Sequence, residues 1–179
     1  MREITEKIYK YEELSEEAKE KARHERFNYD EFYYGEDLIN SLRAFERVFP
    51  IEIKNWEYGM FGCYVEYEIL LDGCDDYEFY EEEELKKYLL EYYDTYCEDI
   101  SENCCSLTGV CSDYALLEPL HEFIKEPYDC NFKELLEECI ANFEKVVEGE
   151  YEYWLSEESF IETCKANDIE IYEDGSRHC

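Results

Sequence analysis

Four cysteines, Cys97, Cys104, Cys105 and Cys111, fall within 15 residues, and thiolates gathered so closely are the usual material of a zinc centre or a thiol nucleophile. Their spacing completes neither. The chain has no C-x-x-C pair, and its three histidines, His24, His121 and His178, stand outside the ligand spacings of zinc sites. His121, beside Glu122, reads as a surface ion-pair member rather than a base. Asp72, Asp75 and Asp76 crowd carboxylates together without the alternating D-x-D-x-D-G order of a calcium loop. A glycine-rich phosphate loop, an H-E-x-x-H helix and a G-x-S-x-G elbow are all missing. With 49 Asp and Glu, carboxylate pairs arise by chance and identify no acid and base. The sequence therefore predicts a non-enzyme with no catalytic residues, no metal and no cofactor.

Charge is what the chain concentrates. The stretch DGCDDYEFYEEEE, Asp72–Glu84, holds eight acids, no base and three aromatics in 13 residues. Carboxylates at that density can occupy a Lys/Arg-lined channel built for DNA, which presents one negative charge per ~1.7 Å of its axis. Aromatics among them can stack on guanidinium groups once charge has steered the encounter. Asp72, Asp75, Asp76, Tyr77, Glu78, Tyr80, Glu81, Glu82, Glu83 and Glu84 are accordingly the expected partner-binding residues. Plain solubility competes with that reading, yet it needs a net charge of only ~2–8 in a small domain. The chain carries −32. The charge is also lopsided: residues 1–26 hold seven Lys/Arg against eight Asp/Glu, and residues 27–179 hold ten against 41. The partner expected is a basic nucleic-acid-binding protein or nuclease, with no membrane and no direct nucleic-acid binding.

With 179 residues, 45% of them apolar and 17% aromatic, the chain can bury a core and is no disordered acidic tail. A single acidic α+β domain over 1–179 is expected. The opening MREITEKIYK has no apolar run of the kind that directs export, so the protein is expected to stay where it is made. Ten cysteines then read as reduced thiols filling apolar stripes, not as a disulfide framework.

The elements that must carry this charge are legible from periodicity. Residues 3–9 read as a first strand, with Ile4 and Ile8 on one face. Ser15 reads as the cap of a helix whose stripe is Leu14, Ala18 and Ala22, with Glu17 and Lys21 spaced to pair. A second helix, about 36–49, sets Leu38, Leu42, Phe45 and Phe49 on one face and ends at Pro50. FGCYVEYEILL alternates with period two and pairs with residues 51–58 across a turn near Gly59. Phe61, Val65, Tyr67 and Ile69 are expected on its core face, opposite Leu136, Ile140 and Phe143. Further helices are predicted from about 81, over about 115–124, and from NFKELL onward, where Gly149 leaves the end open. Ser156 caps a last helix to Ala166, closed by Asn167, before a strand at 169–172. The fold class is α+β: a small antiparallel sheet of about three to four strands packed with several helices.

YKYEELSEEAKEKARHERF at the start and EYEYWLSEESFIETCKANDIEIYEDGSR at the end resemble the two ends of a family of phage and prophage proteins of unassigned biochemistry. Members begin with a strand and an F-x-E-L-S-x-x-A-K-E-K-A helix and end in an E-Y-E-Y…S-D-E…A-N-x-Y-E-F-x-E-D-G segment. CSLTGVCSDYALLEPLHEFIKEP, Cys105–Pro127, is similar to members from gut Firmicutes. Ile169 and Ile171 stand where aromatic or other residues often occur, and the W-S-G-F segment of many relatives is absent around Trp56–Cys63. The resemblance implies a phage protein acting in the cytoplasm of a bacterial host. Joined to the acidic field, it implies an anti-CRISPR member: an acidic binder or DNA mimic that blocks DNA access to a Cas9-like nuclease. Two other readings stand beside it: a phage regulatory or antitoxin-like protein binding a basic partner, and a small metal-binding or thiol enzyme using Cys97, Cys104, Cys105 and Cys111.

Overall fold

A computed structural model describes residues 7–26, 32, 35–59, 61–71, 82–93 and 105–178. Its elements are β1 (Ile8–Tyr9), α1 (Glu16–Arg26), α2 (Gly35–Val48), β2 (Ile51–Gly59), β3 (Gly62–Ile69), α3 (Glu82–Tyr93), α4 (Asp113–Lys125), α5 (Phe132–Leu155), α6 (Glu157–Ala166) and β4 (Ile171–Tyr172). The class is α+β. Among the described residues the four strands form two separate two-stranded antiparallel sheets, β1 with β4 and β2 with β3. No helix among them is long and apolar enough to cross a membrane. The chain divides into a terminal unit, Met1–Tyr33 with Glu150–Cys179, and a central unit, Tyr34–Gly149.

The terminal unit is closed by its two ends. Ile8 pairs with Tyr172 and Tyr9 with Ile171. Ser15 caps α1, its Oγ accepting the Ala18 N–H at 3.3 Å, and Glu16 and Glu17 occupy the first turn that the helix dipole favours. The narrow stripe of Leu14, Ala18 and Ala22 is buried with Tyr11, Phe160, Cys164, Ile169 and Ile171 in one apolar cluster. Small side chains on α1 let the backbone at Gly175 approach the Ala18 carbonyl. Ser156 caps α6 by accepting from Ser159 N–H at 3.1 Å, and Asn167 ends it. Arg26 is buried: it donates to the Trp154 carbonyl at 2.5 Å and its guanidinium lies 4.9 Å from the Trp154 ring centre. In β1, Ile8 is 42% exposed, while Tyr9 on the opposite face packs against that apolar cluster. One expectation changes here. Lys21 is paired with Asp174 at 2.7 Å and lies 3.8 Å from Glu25, instead of meeting Glu17.

In the central unit, Leu38, Leu42, Phe45 and Phe49 are buried as their spacing requires, and the last two rings stack 4.3 Å apart. Pro50 turns the chain into β2. The hairpin register has one irregularity, between Ile53 and Asn55, which leaves Lys54 as an extra residue. That bulge resets the strand's parity: Ile51 and Ile53 are buried, and Trp56 and Tyr58 are half-buried opposite Val65 and Cys63. Helix side chains cover the open edges. Glu46 accepts the Ile53 N–H at 2.8 Å, Arg43 donates to the Ile53 carbonyl at 3.0 Å, and Glu144 accepts the Val65 N–H at 2.7 Å. Without such partners a two-stranded ribbon presents a template for aggregation.

Two helices break local rules and repair them. Pro119 lies inside α4 and offers no N–H to the Ala115 carbonyl four residues back. Asn142 of α5 donates its side-chain amide to that carbonyl at 2.9 Å, so the missing bond is supplied by a neighbouring helix. The helix α5 opens on a reciprocal cap, Glu134 N–H to Asn131 Oδ1 at 3.0 Å and Asn131 N–H to the Glu134 carboxylate at 2.9 Å. Phe132, Leu136, Cys139, Ile140, Phe143 and Val147 form its buried stripe. The helix continues through Gly149 to Leu155.

Candidate partner-binding surface

The two units use charge differently. The terminal unit has 19 Asp/Glu against nine Lys/Arg, and the central unit 30 against eight. In the terminal unit the cations join one end of the chain to the other: Lys10 to Asp168 at 2.8 Å, Lys21 to Asp174 at 2.7 Å, Arg23 to Glu157 at 3.2 Å, and Lys165 to Glu12 at 2.8 Å. The hydrogen bond from Lys21, with those from Ser176, holds the Asp174 carboxyl well below its usual range. Near-balanced charge at the start of the chain is thus matched to acids about 130–160 residues away. Exposed pairs contribute little singly, but they set which surfaces meet.

Among its described residues the central unit has short-range ion pairs instead: Arg43 with Glu46 at 2.8 Å, and Lys87 with Glu91 and Lys133 with Glu137 at 3.7 Å each. The outer face of its hairpin carries Glu52, Glu57, Glu66 and Glu68, all exposed. Lys54 sits between Glu52 at 2.5 Å and Glu68 at 3.0 Å, and both carboxylates raise its pKa. Among the described residues no cation pairs with Glu57 or Glu66. Tyr64, 59% exposed, lies directly across from Glu57, and Phe61 is 102% exposed in the turn between the paired Gly59 and Gly62. Gly62, at φ +106°, supplies the conformation that the turn demands. Phe61 therefore leaves the core face on which alternation sets it: the turn ends the strand before the pattern reaches it.

Of the expected partner-binding residues, Glu82, Glu83 and Glu84 are exposed together on the first turn of α3, where the helix dipole stabilises carboxylates. Asp72, Asp75, Asp76, Tyr77, Glu78, Tyr80 and Glu81 lie outside the described residues. The hairpin's outer face was not singled out by sequence. Its signal is the Gly59–Gly62 pair around a short turn, which marks where alternation must stop.

Three of the described thiols are held back by burial, while Cys111 is exposed. Burial raises the Cys63 thiol to about 12 and the Cys130 thiol to about 11, and pushes the fully buried Cys139 up as well. An activated thiol shifts the other way. His121 is buried on the face of α4 that also holds Leu117, Leu120 and Ile124, so it is not the surface residue that its neighbour Glu122 implies. Among the described residues no group of three or more His, Cys, Asp or Glu can hold a metal; Cys97 and Cys104 lie outside them.

These shifts predict an alkaline limb of instability. Thiols ionise near ~8.5 and phenols near ~10 in unfolded chains. In the fold Cys63, Cys130 and Cys139 are raised by burial, as are Tyr11, Tyr67 and Tyr128. Raised groups contribute stability fully below the unfolded pKa and lose it as pH rises toward the folded one. The urea midpoint should therefore fall steadily from about pH 8.5 to 11. A midpoint constant to pH 11 contradicts these assignments.

Among the described carboxylates of the central unit Asp113 accepts an unusually full set of hydrogen bonds, and it stands just ahead of the helix expected over about 115–124. It is completely buried at the start of α4. Its Oδ2 accepts the N–H groups of Leu107, Thr108 and Gly109 at 3.0, 2.6 and 3.2 Å, and its Oδ1 accepts the hydroxyls of Thr108 and Ser41 at 2.7 and 2.6 Å. Successive amides form an anion nest, filled here by the chain's own side chain. With its proton on Asp113, Ser41 accepts from Ser112 at 2.8 Å, which ties α2 to the loop. Asp113→Ala strands these donors and should cost about 3–5 kcal/mol. Ser41→Ala should cost about 1 kcal/mol. Chemical denaturation checks both, and equal small effects contradict the role.

No protein-family model, curated protein or solved structure matches the chain.

Proposed function

We propose that the chain is a phage-encoded, non-enzymatic inhibitor of a CRISPR nuclease of the Cas9 kind, acting in the cytoplasm of the bacterial host as an acidic binder that occupies the nuclease's DNA-binding channel. The observation that carries this reading is the distribution of charge: 30 acids against eight bases in the central unit, with Glu57, Glu66 and Glu82–Glu84 presented to solvent. Self-repulsion destabilises a compact state of such charge unless a partner neutralises it. Lys/Arg arranged to follow a DNA backbone are partners of the required sign and density. Burial of Cys139, the raised thiols of Cys63 and Cys130, and a carboxylate spent on its own loop favour binding over catalysis at those positions.

The test is competition. A labelled target duplex is bound by Cas9 with its guide RNA, and the purified chain is added while anisotropy is followed. Displacement of the duplex, with no cleavage of protein or nucleic acid, supports the reading. Failure to displace, with binding instead to a basic protein that is not a nuclease, favours a regulatory or antitoxin-like role.

A further inference from the structure

We infer that the tip and outer face of the β2–β3 hairpin form the docking surface, with Phe61 and Tyr64 seating against an arginine-bearing protein surface and Glu57 and Glu66 pairing with its guanidinium groups. This inference rests on the proposed function for its partner class, but its geometry stands apart. Polar residues and glycine are the ordinary choice in a tight hairpin turn, and Gly59 and Gly62 already supply the turn here. A phenylalanine with its entire side chain in water serves neither the turn nor the core. Tyr64 is likewise turned away from the buried residue Val65 and lies across from Glu57. Tyr64, Glu57 and Glu66 thus share the outer face, with Phe61 exposed in the adjoining turn, and among the described residues no cation pairs with the two carboxylates, whereas the far end of that face is neutralised in part by Lys54 between Glu52 and Glu68. Arginine suits this combination better than lysine, because its planar guanidinium stacks on an aromatic ring while donating to carboxylates at its edge. The edge bonds from Glu46, Arg43 and Glu144 hold the hairpin's backbone from α2 and α5, so the outer face is presented on a supported element.

Nona-arginine and nona-lysine peptides are the probes, titrated into the full chain at physiological salt. Glu57→Gln with Glu66→Gln is compared with Glu122→Gln with Glu126→Gln, which removes the same charge from exposed positions elsewhere in the central unit. Phe61→Ala with Tyr64→Ala is the third variant. Nona-arginine should bind more tightly than nona-lysine. Both hairpin variants should weaken nona-arginine by about 10-fold or more, and the control by less than about 2-fold. In the parent chain the ring signals of Phe61 and Tyr64 should shift on titration, a readout that needs no variant to fold. Equal weakening by hairpin and control variants, or ring signals that do not move, overturns the assignment. Binding to Cas9 separates this from the functional reading. Loss of nona-arginine binding in the hairpin variants, with no Cas9 binding by the parent, removes the nuclease and keeps the surface; equal Cas9 binding by parent and hairpin variants removes the surface and keeps the nuclease.

Discussion

Gly175→Ala should destabilise the terminal unit by about 2–6 kcal/mol. Gly175 holds φ +89°, a backbone conformation that side-chain-bearing residues enter only at a cost. A Cβ there would also stand 2.3 Å from the Ala18 carbonyl oxygen and 3.1 Å from its carbon. Both obstacles are backbone atoms of α1, which cannot rotate aside as a side chain could. Strain and overpacking therefore add. Separation of α1 from the Tyr172–Ser176 turn would also release the Lys21–Asp174 pair. Gly149→Ala is the informative counterpart: it is a glycine within α5 with open space around it, where alanine should stabilise by about 0.5–1 kcal/mol. Urea denaturation in a Trp56→Phe background leaves Trp154 as the reporter for the terminal unit. A change below about 0.5 kcal/mol for Gly175→Ala contradicts the close approach.

The second large effect concerns binding. Changing Glu81, Glu82, Glu83 and Glu84 together to Lys should weaken the complex with Cas9 by several kcal/mol, on the order of 100-fold or more, since it sets like charges against each other. Glu82–Glu84 are exposed on the first turn of α3, so those three substitutions do not touch the core. Cations at that end oppose the helix dipole by about 0.3–1 kcal/mol each. Circular dichroism and the thermal midpoint distinguish that local cost from lost affinity. Undiminished inhibition by the variant contradicts a contact at this end of α3.

Helices with wide apolar stripes were legible at once. Leu38, Leu42 and Phe45, or Leu136, Ile140 and Phe143, bury as their spacing requires because helical period alone selects the face. The capping serines at 15 and 156 were equally readable, since their chemistry acts within three residues. What failed to show is what depends on distant partners. Lys21 met Asp174 instead of Glu17, and Asn142 completed α4 at a proline. His121 followed its helix face into the core despite its charged neighbour. Strand pairing was likewise half visible. Alternation found β3, but only the Gly59–Gly62 pairing says that Phe61 belongs to the turn, and nothing local says that β1 pairs with β4. For the surface, composition located the acidic excess beyond residue 26 but not the hairpin face, because exposure is set by the bulge at Lys54 and by the turn.

The most direct test of an acid-driven interaction is the affinity for guide-loaded Cas9 measured from 50 to 300 mM salt. Contacts between exposed carboxylates and a basic channel are screened as the Debye length falls toward ~8 Å at physiological ionic strength. The logarithm of affinity should therefore fall steeply and nearly linearly with the logarithm of salt concentration, more steeply for the parent chain than for the variant lacking Glu57 and Glu66. Affinity that stays constant across that range, or no binding at its lowest salt, contradicts the proposal.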